Sequence, residues 1–193
     1  MFSLIKKDLL VQRNYFLYGL LAAVVIAVSF QGLKEVMFQA MVFLLTYFFV
    51  QHACFSDDRA CADLLLNSLP ISRNAVVLAR YVSLFAFFAI ALLYYALLAG
   101  VVKILPLPLE LGPVSFEGIA ETLMLVVLVN SIFLPIFYKF GYGRSRIVNM
   151  ILLLGTFGAL GSAGEKFMNL FFALALYAFS YFVSLRIYLN KEF

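Results

Sequence analysis

The sequence predicts an all-α membrane protein with six transmembrane helices, both termini cytoplasmic, an amphipathic helix at the N-terminus and a polar helical element between the second and third spans. Three observations carry that prediction. The first is composition: of 193 residues, 65% are hydrophobic and only 12% charged, whereas a soluble domain carries about 25% charged residues. The second is spacing. The charges leave six free intervals, 14–33, 36–56, 81–102, 122–138, 147–164 and 167–185, of 17 to 22 residues each, and a spanning helix needs about 20. The third is the placement of the basic residues. With the N-terminus inside, inner segments hold 11 of the 14 Lys and Arg residues, and outer loops hold only Lys34, Lys103 and Lys166. The positive-inside rule then sets the orientation. A net charge of +4 would hint at nucleic acid in a soluble chain; here placement matters more than the sum, and no nucleic-acid partner is expected.

Taken in order, residues 1–13 place Phe2, Ile5 and Leu9 near helical spacing, with Lys6, Lys7 and Arg13 available to anionic headgroups. They predict a helix lying in the inner interface; the plainer alternative is a positive flank that only fixes topology. No signal peptide is expected, because the hydrophobic run after Arg13 is too long for an h-region and lacks a cleavage-like end. The first two spans are 14–33 and 36–55. His52, the only histidine, has no partner at metal-ligand spacing and reads as structural. Cys54 and Cys61 read as reduced thiols rather than a disulfide framework.

The stretch 56–80, SDDRACADLLLNSLPISRNAVVLAR, is the one long polar interruption. Ser56 is placed to cap a helix, with Asp57 and Asp58 in its first turn. Leu64, Leu65, Leu66 and Leu69 give it an apolar side, and Pro70 ends it by lacking an N–H and holding Leu69 extended. Ser72 is placed to cap the third span, 74–102, and Arg73 and Arg80 share a face two turns apart. Such an element is either an amphipathic loop on the lipid surface or a handle for a cytoplasmic partner.

The outer loop 103–118 carries Pro106, Pro108 and Pro113, which favour extended chain. Glu117 and Glu121 share a face at the head of the fourth span, 119–138, either as a solvated helix start or as an attraction for cationic cargo. Asn130 needs a partner inside the bundle or a wet path, and Pro135 marks a bend; these four are the candidate substrate or gating residues. The basic loop YKFGYGRSR follows, with Gly141 and Gly143 allowing a tight turn. The fifth span, 147–164, interleaves Gly155, Gly158, Gly161 and Gly164 with Ala159 and Ala163, a packing stripe first and a sliding or dimer face second. Only Glu165–Lys166 separates it from the sixth span, 167–185, so a tight hairpin is expected. Tyr177, Tyr181 and Tyr188 are expected to anchor that span near the inner interface.

Three stretches together resemble the small permease subunits of ABC-2-type ABC transporters, such as bacterial peptide and drug exporters. LIKKDLLVQRNY is similar to their interfacial elbow, DRACADLLLNSLPISRNAVVLARY to the coupling element between their second and third spans, and LPIFYKFGYGRSRIVNM to their basic glycine turn. The short SAGEKF hairpin departs from the pattern and leaves little room for an outer gate. The resemblance implies a non-enzymatic permease in a bacterial plasma membrane, exporting a hydrophobic or amphipathic cargo, in this size class often a hydrophobic or cationic peptide. No G-x-x-x-x-G-K-[ST] occurs in the chain, and the resemblance puts ATP and Mg in a partner instead. Two copies of a cytoplasmic ATP-binding subunit would dock on 56–73, and a second permease chain, the same or related, would complete the path. Arg59, Asp63, Leu65, Leu66, Ser68, Leu69, Pro70, Ser72 and Arg73 are the contact residues this implies, with leucines filling a groove and Arg59, Asp63 and Arg73 pairing at its rim.

The alternative from another class is the substrate-capture subunit of an energy-coupling-factor importer, also six-spanning, for which Ala23-x-x-x-Ala27 offers a contact face. An intramembrane enzyme lacks a nucleophile–base pair in this sequence. A passive structural membrane protein is the remaining class.

Overall fold

The computed structural model describes residues 2–13, 15–30, 32, 34–104, 111–161 and 170–191. Among them there are only helices: α1 (Phe2–Val11), α2 (Tyr15–Ser29), α3 (Lys34–Arg59), α4 (Ala62–Ser68), α5 (Arg73–Ile104), α6 (Phe116–Gly161) and α7 (Leu170–Leu189). Four of these, α3, α5, α6 and α7, are long and apolar enough to cross a membrane, or five spans arise if α1 and α2, bent by 62°, count as one. The expected hairpin at Glu165–Lys166, the side chains of the glycine stripe beyond Gly155, and Pro106, Pro108 and Glu110 lie outside the described residues.

α3 is the centre of the bundle. Met37, Phe38, Met41, Val42, Phe43, Leu45, Phe49 and Val50 are all buried, so the helix is covered on several sides by α2, α5 and α6. α2 approaches it through a small-residue face, Gly19, Ala23 and Ala27, all buried. A methyl group at Gly19 would meet the Phe49 ring at 2.9 Å. Ala23 and Ala27 are therefore spent inside the chain, not offered to a partner as the capture-subunit alternative requires. The opposite face of α2, with Leu17, Leu21, Val25 and Val28, is exposed.

The expected turn at YKFGYGRSR proves to be helix on both sides of a single residue. Gly141 has φ 74 and ψ 177 inside α6, a conformation open to glycine because it has no Cβ. At 46 residues, α6 would be about 69 Å long if straight, more than twice the roughly 30 Å of hydrocarbon in a bilayer. Its neighbours on α3 change direction at the break. Glu121 meets Gln39, Tyr142 meets Phe55 and Asp58, and Met150 then lies back in a cavity with Tyr47 and Phe48. The chain thus doubles back along α3. Gly141→Ala is expected to destabilise the fold by about 1–3 kcal/mol, read as an earlier midpoint in SDS-driven unfolding. Gly143→Ala, in helix with open space around its Cβ position, is the silent control.

Pro135 sits within α6 without ending it. Lacking an N–H, it leaves the carbonyl of Ser131, four residues earlier, without its helical donor. Ser180 of α7 supplies one, its Oγ donating to Ser131 O at 2.6 Å. The same Ser180 Oγ and that of Ser184 each lie 2.8 Å from the Tyr81 hydroxyl of α5, and the Tyr177 hydroxyl donates to Tyr81 O. Tyr177 and Tyr188 are therefore core residues rather than interfacial anchors, and only Tyr181 is part-exposed. Ser180→Ala is expected to cost about 1 kcal/mol. In a Pro135→Ala background, where residue 135 again has an N–H, the cost should shrink, which a double-mutant cycle measures.

Candidate functional site

At one end of the bundle, four ionised side chains from three helices meet. Asp8 faces inward from α1 on the same side as Leu4 and Gln12, all three buried. The inward face of α1 is therefore Leu4–Asp8–Gln12, one residue round from the expected Ile5–Leu9 face, whose residues are half-buried. Arg80 of α5 is 7% exposed; its Nη1 lies 3.3 Å from Asp8 Oδ2, and its Nη2 pairs with Asp57 Oδ2. Lys7 Nζ reaches Asp57 Oδ1 at 2.8 Å and Asp8 Oδ1 at 3.2 Å, and the Ser83 hydroxyl donates to Asp8 Oδ2 at 2.9 Å. Two cations face two anions, so the cluster is neutral and most of its polar atoms are matched, which a buried charge requires.

Asp57 belongs to this cluster because α3 does not stop at Phe55. The helix runs on to Arg59, and Ser56 is inside it, its hydroxyl 3.4 Å from His52 Nε2. The expectation that Ser56 caps a new helix is corrected: the inward register of Ala53 and Cys54 continues one turn and carries Asp57 to Arg80. His52 packs on the Tyr15 ring, 3.5 Å between centroids. The short helix instead starts after Cys61, whose left-handed φ of 47 makes the corner without a side-chain cap. Its other end is as expected, with Leu69 extended ahead of Pro70 and α5 beginning at Arg73.

The helix α4 lies over a cavity of about 260 Å³ lined by Leu66, Ala62 and Asp63 on one side and by Asp8, Asp57 and Arg80 on the other. Leu65 and Leu69 point outward, 63% and 50% exposed, whereas Leu66 is half-buried on the cavity side. Ser68, Pro70 and Ser72 are exposed; the Ser68 hydroxyl bonds back to Leu65 O, and Ser72 O accepts the N–H groups of Ala75 and Val76. The three residues expected at the rim of a partner's groove each make a contact within the chain. Arg59 lies over the Phe55 ring at 5.3 Å, Asp63 pairs with Lys191 at 2.9 Å, and Arg73 donates to Leu189 O. The segment after α7 thereby braces α4 through Lys191, and the C-terminal end of α7 holds the start of α5 through Arg73.

The remaining candidates lie away from this corner. Asn130 is buried and satisfied by Val126 O of its own helix at 2.8 Å, and Pro135 is half-buried in the seam with α7. Glu117 and Glu121 are exposed at the start of α6, and Glu121 accepts a hydrogen bond from Gln39. The structure brings the handle residues together but unites neither Asn130 nor the two glutamates with them. Sequence reading missed Lys7, Asp8 and Arg80 as one site. The available signal was Asp8 between Leu4 and Gln12 at helical spacing, a carboxylate on an inward face.

Long apolar helices, with a short helix at one end over a buried charge cluster, define a multi-pass membrane protein. The chain belongs to the ABC-2 transporter family: a family model described as ABC-2 family transporter protein matches residues 3–189. It is thus a membrane permease of an ABC transporter, a family that works with an ATP-binding subunit. No curated protein and no solved structure gives a significant match.

Proposed function

We propose that this chain is the membrane half of an ATP-driven exporter, crossing a bacterial plasma membrane six times with both termini inside. In this reading α2 and the two limbs of α6 are separate spans beside α3, α5 and α7. Two ATP-binding subunits dock on α4 from the cytoplasm, one on each of two permease chains, and their closure on ATP swings the permeases between inward- and outward-facing states. The cargo is hydrophobic or amphipathic, with a peptide the first class to test.

The observation that carries the reading is α4 itself. Its outer leucines, Leu65 and Leu69, are exposed, and its inner side lines the same cavity as the cluster that joins α1, α3 and α5. A push on α4 therefore reaches three helices at once. Gentle affinity purification from native membranes tests it: a co-purifying P-loop ATPase, stimulated by the chain, is the expected result. Recovery of this chain alone would overturn it.

A further inference from the structure

A second cavity, of about 550 Å³, opens between α2, α3 and the second limb of α6. It is within the size range of small-molecule sites. Four tyrosines (Tyr15, Tyr18, Tyr47 and Tyr142) and three phenylalanines (Phe48, Phe49 and Phe55) line it together with His52, and among the described residues no acidic side chain does. Among the described lining residues the formal charge is that of Arg146, one turn beyond Tyr142 and exposed. Among the described residues Arg146 has no carboxylate partner, unlike Arg80 in the cluster described above. Gln51 is a neutral donor in the same lining.

We propose that this cavity binds an amphiphile with an anionic head, its apolar tail against the aromatic walls and its phosphate or carboxylate on Arg146. Aromatic faces alone favour a cation. The Arg146 guanidinium reverses that preference, because no acidic side chain among the described lining residues offsets its charge, and its planar fork matches the oxygens of an acidic head. The tyrosine hydroxyls and Gln51 satisfy the remaining head oxygens without adding charge. The inference gives the permease reading a substrate class and rests on that reading for its purpose; it excludes the cationic peptides that the family resemblance allowed.

The test uses the full chain in phosphatidylcholine nanodiscs, with empty nanodiscs giving the partition background. Radiolabelled dodecyl phosphate and dodecyltrimethylammonium share a tail and differ in head charge. Saturable binding of dodecyl phosphate, at least tenfold tighter than that of the ammonium probe, is the expected result. Arg146→Gln should weaken it tenfold or more, and Arg146→Glu should reverse the preference, with unfolding midpoints unchanged because the side chain is exposed. Equal binding of the two probes, or an Arg146→Gln affinity within twofold of the original, overturns the proposal. Binding is measured on the chain alone, so failure to recover an ATPase leaves this result standing. Recovery of the ATPase without saturable binding overturns the cavity assignment alone.

Discussion

Arg80→Met is expected to destabilise the folded chain by about 3–5 kcal/mol, the range for removing one partner of a buried charge pair. Among the described residues, the substitution leaves Asp8, 4% exposed, and Asp57 with Lys7 alone to neutralise both. Desolvated carboxylates without a counter-charge are costly, and the Ser83 hydroxyl compensates one of them in part. SDS-driven unfolding of the purified protein reads the effect. Lys7→Gln should cost much less, about 1 kcal/mol or below, since Lys7 is 31% exposed at its side chain and water replaces it. In the double variant Asp8→Asn with Arg80→Met, charge balance is restored between Lys7 and Asp57. The double variant should therefore be more stable than the sum of the singles predicts. If Arg80→Met and Lys7→Gln cost the same, the cluster is a surface network and not a buried one.

The cluster also marks where sequence reading stops. Hydrophobic intervals locate α3, α5 and α7 well, because a bilayer imposes length and apolarity on each span. The same reading uses charges as boundaries, which assigns Asp57 and Arg80 to water at the edges of spans. Helices can continue past such boundaries: α3 runs on to Arg59 because one more turn brings Asp57 to Arg80 rather than into solvent. Pairings such as Asp8 with Arg80 depend on which helices adjoin, and no local pattern encodes that. Pro70 was legible for the opposite reason, since its missing N–H acts within one turn. Gly141 was legible as a turn but not as a one-residue break, because a glycine permits many conformations and specifies none. The candidate handle was visible as a polar interruption with leucines. Which leucine faces out depended on the corner at Cys61, whose left-handed φ has no residue-type signal.

That corner decides how the docking reading is tested. Leu66→Asp would place a carboxylate in the cavity already holding Asp8, Asp57 and Asp63, and would disturb the fold together with any interface. Leu65 and Leu69 are exposed instead, so Leu65→Asp with Leu69→Asp alters only the outer surface of the handle. Central apolar anchors at interfaces commonly contribute 2 kcal/mol or more each, and each 1.4 kcal/mol is a factor of ten in affinity. The double variant is therefore expected to bind the ATP-binding subunit about 100-fold more weakly or worse, while inserting and unfolding like the parent. Arg73→Glu should act in the same direction but less cleanly, because Arg73 also holds Leu189 O and its loss loosens the hold of α7 on the start of α5. Co-purification and ATPase stimulation measure the first effect, and the SDS unfolding midpoint separates it from the second. Should the leucine double variant retain the ATPase at full strength, α4 is a surface helix lying on lipid, and the force must enter the bundle elsewhere.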